Sequence, residues 1–488
     1  MLDVLFSHSY YYKMDPKQWE TGMPYPPLGT IYAAGFLRNN GFEVDLFDVG
    51  LKERPNEITE IIEEKKPRYL VLYDDGFNYL TKMCLTKMRE AAFEMISIGK
   101  SKGCTVVVSS SDSTDHYSQY LDRGADIVLL GEGEISLLET LKELDQQRSL
   151  ESVKGIVYQS DSGTVNNGRR EVIRDLEILP QPAWDLIGIN DYKLAWTNKT
   201  PYALNIATTR GCPYKCNWCA KPIYGNRYNS RSPKRVVEEI KFLKEQHNVT
   251  NFWMCDDIFG LKPNWVQEFD VLLKKENLEI SFKIQSRADL LLKENSIEAL
   301  VNSGLKEVWI GAESGSQNIL DAMDKGTTIE QIETATKLLQ ERGVRVAFFI
   351  QYGYLGETKA DIDKTIDLIR RAKPDDMGIS ISYPLPGTKF YEKVKSQLKE
   401  KQNWTDSNDL AMMFSGTFNP HFYKKLHSYT HKEFQIIRGV ESLKRGLRKP
   451  NSLKKEDIKT MLKTPLYWFL AKKEKFQLSN MENKNERN

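Results

Sequence analysis

Short, nearly continuous apolar runs recur along this chain, and each is followed by a stretch of helical periodicity. In the first part the runs at 2–7, 43–48, 69–73, 104–109 and within 125–134 read as strands. Helices are predicted between them at 30–39 and 57–64, with one long helix over 80–100. Strand alternating with helix predicts α/β architecture with a parallel, doubly wound sheet over residues 1–145, its ligands at the carboxyl ends of the strands. A small hairpin and a proline-punctuated linker, Leu179-Pro180-Gln181-Pro182, fill a connector at 146–200.

The same rhythm resumes over 201–390. Strands at 203–208, 251–256, 280–285, 307–312, 345–351 and 377–382 alternate with helices at 233–247, 265–275, 294–302, 329–342 and 360–371. Functional residues of such βα repeats gather at the strands' carboxyl ends. The remainder, 391–488, is a C-terminal helical region: an apolar, turn-containing segment through Met412, Met413 and Phe414, a helix over 421–447, and a polar end expected to be disordered. Tyr467-Trp468-Phe469 beside Lys472, Lys473 and Lys475 is open to three readings: a membrane contact, a subunit contact or, preferred, a docking helix.

Composition changes this picture little. With 488 residues, 40% hydrophobic and 28% charged, the chain suits a multidomain globular enzyme. A net charge of +2 gives no global reason to expect nucleic acid or an anionic membrane as partner. No apolar run is long enough for a transmembrane segment and no secretory leader is evident, so the expected location is cytoplasmic. Six cysteines in so long a chain are no disulfide framework. Cys84, Cys104 and Cys255 read as buried reduced thiols, and the other three fall between Cys212 and Cys219.

Those three carry the candidate chemistry. The loop Thr209-Arg210-Gly211-Cys212-Pro213-Tyr214-Lys215-Cys216-Asn217-Trp218-Cys219 has the spacing C-x3-C-x2-C and follows a predicted strand. Four thiolates suit structural zinc or a complete cubane. Three leave one iron of a [4Fe–4S] cluster open to a small molecule. The competing reading is a zinc knuckle that lacks a fourth ligand, since His247 sits at the end of a predicted helix.

The loop resembles the cluster loop of the radical S-adenosylmethionine (SAM) superfamily. The resemblance implies that Cys212, Cys216 and Cys219 hold a [4Fe–4S] cluster whose open iron chelates SAM, and that reductive cleavage gives a 5'-deoxyadenosyl radical. It also implies a partial (β/α)6 barrel, which the six strands match. "GAESGSQNILDAMDKGTT", at 311–328, is similar to a recurring phrase of the superfamily. SAM contacts are then expected from Trp218, Asp256, Arg287, Glu313, Ser314 and Gly353. At two of these an alternative stands: a helix N-cap by Asp257 beside Asp256, and pairing of Arg287 with Asp289 or Glu313.

"PPLGTIYAAGFLRNNGFEVDLFD" followed by "GADIVLLGEGE" resembles the Rossmann-like cobalamin-binding domain of one large class of these enzymes, the group around the anaerobic magnesium-protoporphyrin IX monomethyl ester cyclase. Cobalamin contacts are expected from Leu28, Gly29, Ser110, Gly131, Glu132 and Gly133. The Asp-x-His-x-x-Gly motif of cobalamin mutases is absent, and Ser109-Ser110-Ser111 replaces a common Gly-Gly; the alternative is a Rossmann-like domain without a ligand. The resemblance implies methylation of an unactivated carbon of a small-molecule substrate, with electrons from a carrier such as flavodoxin or ferredoxin. Oxidative cyclisation, hydroxylation or rearrangement by the same radical is the alternative, and a non-catalytic cobalamin or cluster sensor is a third. No residue is singled out as an acid, base or nucleophile.

Overall fold

The computed structural model describes residues 2–83, 85–398, 401–448 and 453–485; Cys84 lies outside them. Two sheets dominate. The first contains β1 (Val4–Ser7), β2 (Val44–Leu46), β3 (Tyr69–Tyr73), β4 (Thr105–Ser109), β5 (Ile127–Leu129), β6 (Ile156–Ser160) and β7 (Gly163–Asn166), in the order β2-β1-β3-β4-β5-β6-β7. The strands from β2 to β5 are parallel neighbours. β6 and β7 add antiparallel, so the connector's hairpin is the edge of this sheet.

Alternate residues of the strands face two cores. Leu5, Leu70, Leu72, Val106 and Val108 pack with Ile58, Ile62, Met95 and Ile96 of the helices Ile58–Lys65 and Thr86–Ser101. Val4, Phe6, Val71, Val107 and Leu129 pack on the other side with the helices Leu28–Asn39 and Glu134–Asp145. This second core continues without a break into the barrel.

The predicted long helix is two, Tyr79–Lys82 and Thr86–Ser101. Leu85 is extended between them, and the first amides of the second helix, Thr86 and Lys87, donate to the carbonyls of Trp404 and Thr405 at 2.9 and 3.3 Å. Donors that a helix start leaves unpaired are thus met by the C-terminal segment, a partner more than 300 residues away.

The second sheet has six parallel strands in the order β15-β14-β13-β12-β11-β8. They are β8 (Leu204–Ile206), β11 (Asn251–Met254), β12 (Ser281–Ser286), β13 (Leu305–Glu313), β14 (Arg345–Tyr352) and β15 (Asp376–Ile381). β8 and β15 are its two edges, so the barrel is open. Between β8 and β11, a two-strand ribbon of β9 (Thr209–Arg210) and β10 (Asn229–Ser230) closes the base of the cysteine loop. The helices start at well-chosen caps. Ser232 caps Pro233–His247 with proline at its first position, and Thr328 and Thr358 form capping boxes with Gln331 and Asp361.

The C-terminal helices Pro420–Arg448 and Lys455–Asn485 form an antiparallel hairpin, since Ser442 bonds Asp457 and Ser428 bonds Glu474. The polar end expected to be disordered is helical as far as Asn485, because Ala471 and Leu478 seat it on the preceding helix and the core. His427 and His431 meet edge to face, half-buried, at 4.5 Å between ring centroids, and burial lowers the His427 pKa to about 4.

One buried cation joins the sheets. Arg210 of β9, 3% exposed, donates to Glu132 Oε1 at 2.5 Å and Glu134 Oε1 at 2.7 Å, both just beyond β5. The rings of Tyr32, Phe77 and Tyr224 surround its guanidinium at 5.4, 5.7 and 5.1 Å. Burial disfavours the charge, but the two carboxylates and Tyr224 outweigh it and hold the group firmly protonated. Arg231 reinforces the joint through the Tyr32 hydroxyl at 2.8 Å and Glu239 at 2.6 Å.

Removing one member of such a group leaves the others buried and uncompensated, at a cost of about 3–5 kcal/mol. Arg210→Met is therefore expected to unfold at much lower denaturant than the wild type, and adding Glu132→Gln and Glu134→Gln should recover part of the loss. A single variant that unfolds together with the wild type would contradict this.

Candidate active site at the cysteine loop

The loop that carries the three cysteines hangs from the ribbon at the barrel's carboxyl rim. Gly211 starts it at φ +78°, where an added Cβ would stand 2.5 Å from the Arg227 carbonyl, so only glycine fits. Asn217 fixes its far side. Its amide donates to Met323 O (3.0 Å) and its Nδ2 to Ala322 O (2.6 Å), while its Oδ1 accepts from Tyr354 Oη (2.7 Å) and its carbonyl from Phe390 N (2.9 Å). The loop is thereby stapled to the segments that follow β13 and β14.

Cys212, Cys216 and Cys219 are half-buried and in no disulfide. Burial raises the Cys219 thiol to about 11; Lys221 opposes this, and Asp257, Cys216 and Cys212 add to it. Burial likewise raises Cys212. The three thiols stand on one short stretch of the loop, Cys212 to Cys219. Among the described residues no group of three or more histidines, cysteines or acids converges on a point as a single metal ion requires. A cubane asks for a different arrangement, because each thiolate takes a different iron and the sulfurs stand around a cluster. The donor set of three thiols fits that group, with one iron left over.

Charged side chains crowd the same place. Arg287 lies with its guanidinium 3.8 Å from the Tyr214 ring centroid and its Nη1 4.0 Å from Cys216 Sγ. It pairs with Asp289 at 2.9 Å and not with Glu313. Glu313 instead pairs with Lys325 at 2.8 Å. Burial works against the Lys325 charge, but Glu313 and the Cys216 thiol outweigh it. Glu313 sits at a break in the register of β13 and β14 with φ +59°, a conformation that costs energy and clusters at functional sites. Arg287, Lys325, Glu313 and Cys216 form one electrostatic group. Trp218 packs against the apolar cluster of Met323, Tyr354, Phe390 and Phe414, with its Nε1 buried and unpartnered.

Other expected SAM contacts face elsewhere. Asp256 is fully buried; it accepts from Thr208 N (2.7 Å), Thr209 N (2.9 Å) and the Thr208 hydroxyl, tying β11 to the start of the cysteine loop. Burial pushes its pKa up to about 6 against those bonds. Asp257 caps no helix and pairs with Lys82 of the N-terminal unit at 2.5 Å. Ser314 is buried between Ser316 N and the Thr365 hydroxyl. Gly353, at φ +78°, lies under Met412, whose Cε would be 2.5 Å from an added Cβ. The C-terminal segment thus reaches the end of β14.

In the N-terminal unit, the residues expected at cobalamin are engaged with protein. Leu28 is in the core. At Gly29 a Cβ would press on Asp75 and Gly76, and at Gly133 on Tyr73, Leu129 and Ser109, so both glycines serve close packing. Gly131, at φ +79°, faces the carbonyls of Pro222 and Ile223 beyond the cysteines. Glu132 binds Arg210 and accepts from Ile173 N. Ser110 caps the helix Ser111–Asp115. Beside it the Ser111 hydroxyl is buried without a partner, the kind of atom that suits a polar ligand.

Residues 206–369 match the family model described as the radical SAM superfamily. This barrel is a radical SAM domain. An uncharacterized methyltransferase of Pyrococcus horikoshii is 27% identical over 387 residues, 78% of this chain and 81% of the relative. The anaerobic magnesium-protoporphyrin IX monomethyl ester cyclase of Rubrivivax gelatinosus is 27% identical over 414 residues, 82% of this chain and 72% of the relative. A solved radical SAM methyltransferase, TsrM from Kitasatospora setae, with cobalamin and a [4Fe–4S] cluster bound, superposes with a TM-score of 0.69 at 19% identity. It covers 81% of this chain and 78% of that one, which extends the shared fold beyond the radical SAM domain to the N-terminal unit.

Arg210, Asn217, Lys325 and Glu357 are the site residues that sequence reasoning missed. A charged residue next to an apolar run is the signal that could have found Arg210, since such residues are almost never buried unpaired. Glu357 lies under the site, its Oε2 accepting from Gly353 N at 2.7 Å and its Oε1 without a partner. Burial raises it to about 8. An acid raised on folding favours the folded state at low pH, and that advantage is lost as pH climbs through its folded value. The wild-type melting temperature relative to Glu357→Gln is thus expected to fall between about pH 5 and pH 8; a constant difference would contradict the assignment.

Proposed function

We propose that the chain is a cobalamin-dependent radical SAM enzyme that methylates an unactivated carbon of a small molecule. The observation that carries the reading is the grouping of three disulfide-free cysteines with Arg287, Glu313 and Lys325 at the rim of a radical SAM domain. Cys212, Cys216 and Cys219 would hold the [4Fe–4S] cluster. Arg287 and the Lys325–Glu313 pair offer a cation and a carboxylate to the carboxylate and amine of SAM, and Trp218 Nε1 offers a donor. With these groups bound, the cluster supplies the electron that splits SAM and cobalamin carries the methyl group.

The protein's own residues position and shield. Asn217 and Gly211 fix the loop, Asp256 ties it to β11, and Met412 with Phe414, packed near Trp218 and Tyr354, covers the rim. Cobalamin would lie at the carboxyl edge of the first sheet. The shared fold with a cobalamin-bound methyltransferase and the open Ser111 hydroxyl support that position. Contacts from Gly29 and Gly133 to the cofactor have no such support, since both are filled by protein. An electron carrier such as flavodoxin or ferredoxin in a reducing compartment would complete the system.

A second reading, oxidative cyclisation without methyl transfer, is favoured by the match to the cyclase relatives over 82% of the chain. Anaerobic reconstitution separates the readings. The wild type is expected to take up iron and sulfide with the visible absorbance of a cysteine-ligated cluster, and to release 5'-deoxyadenosine from SAM under dithionite. Cys216→Ala should lose both. With methyl-labelled SAM, label in a new small-molecule product supports methylation. Release of 5'-deoxyadenosine with no label in any product overturns it in favour of the second reading, and absence of SAM cleavage overturns both.

A further inference from the structure

The helix Lys455–Asn485 carries two apolar rows where a hairpin needs one. The first, with Ala471 and Leu478, is buried. The second, Ile458, Leu462, Leu466, Phe469 and Phe476, recurs at helical spacing and faces outward: Leu462 is 77%, Phe469 63% and Phe476 69% exposed. Single exposed apolar residues are ordinary, but a continuous row with aromatic members marks an interaction surface.

The charge around this row says what covers it. Lys455, Lys459, Lys463, Lys472, Lys473 and Lys475 are all exposed on the same helix. Among its acids, Glu456, Asp457 and Glu474 are each paired with a cation from elsewhere, Lys199, Arg445 and Lys432, at 2.6, 2.6 and 2.9 Å. Lysine charge is therefore left facing out. Next to the row, Lys199, Arg438, Lys459, Lys463, Glu456 and Tyr467 line a pocket of about 300 Å³ with four cations against one carboxylate. Lys459 and Lys463 directly follow Ile458 and Leu462 in the chain, so the cationic pocket borders the apolar row.

We propose that this hairpin docks on the surface of an anionic phospholipid bilayer, with the apolar row in the interfacial layer and an anionic head group in the cationic pocket. Apolar area combined with attraction to anionic lipid is what holds an interfacial helix. A second copy of the chain fits less well, because a two-fold contact would set lysine against lysine. Among the described residues no helix is long and apolar enough to cross a membrane, so the contact is with the surface. The proposal goes beyond the reaction and does not depend on it.

The test is co-sedimentation of the full chain with large vesicles of phosphatidylcholine alone or mixed with phosphatidylglycerol. Partitioning is expected to be about tenfold or more stronger on the mixed vesicles and to weaken with salt. Leu462→Glu with Phe469→Glu, both at exposed positions, should abolish it at unchanged melting temperature. Lys459→Glu with Lys463→Glu should remove the preference for phosphatidylglycerol. Equal or absent binding to the two vesicle types overturns the proposal, as does retained binding by the Leu462→Glu/Phe469→Glu variant. A dimer by light scattering that this variant dissociates, without vesicle binding, also overturns it and assigns the face to a second copy.

Discussion

A guanidinium with no access to water cannot stand alone in a protein interior, and Arg210 does not. It sits between two carboxylates from the segment that follows β5, walled by three aromatic rings. Two residues after it comes Cys212. The position of the candidate cluster loop therefore follows from a joint whose other half is the turn after β5 in the N-terminal unit. A bare apolar contact would tolerate sliding; three buried charges with hydrogen-bond geometry do not, because any slip exposes an unpaired charge to a medium of low dielectric. The continuous core on one face of the first sheet supplies the bulk attraction, and the ion group sets the alignment.

From that alignment the rest of the site follows in steps. The ribbon of β9 and β10 brackets the loop, Asn217 pins it to the segments beyond β13 and β14, and Asp256 pins its start to β11. Lys82 brings a cation from the N-terminal unit to Asp257, close enough to feel Cys219. Side chains from both units and from the C-terminal segment thus converge at the barrel's carboxyl rim, where difficult radical chemistry needs fixed geometry and exclusion of water.

Much of this was legible in the chain. All six barrel strands and most helix limits follow from periodicity, because short strand-like segments alternate with helical spacing and the caps Ser232, Thr328 and Thr358 mark helix starts. The cysteine spacing located the site. What was not legible depends on distant partners. The break before Thr86 is set by carbonyls at Trp404 and Thr405, and the role of Glu132 by Arg210, 78 positions away. Glycine offers the sharpest lesson. Gly29 and Gly133, expected at cobalamin from the resemblance, make tight protein contacts, and a glycine in one sequence does not distinguish such a contact from a ligand's approach. A net charge of +2 is likewise an average over the chain and leaves the lysine-rich helix Lys455–Asn485 unmarked.

The central claim is that the Arg210 joint makes the cysteine loop and the turn after β5 one mechanical unit. Hydrogen exchange followed by mass spectrometry tests it directly, comparing the wild type with Glu134→Gln, a change confined to the N-terminal side. The account predicts faster exchange in both segments, around 127–137 and around 204–219, by similar factors. Faster exchange in 127–137 alone, with 204–219 as protected as in the wild type, would contradict it.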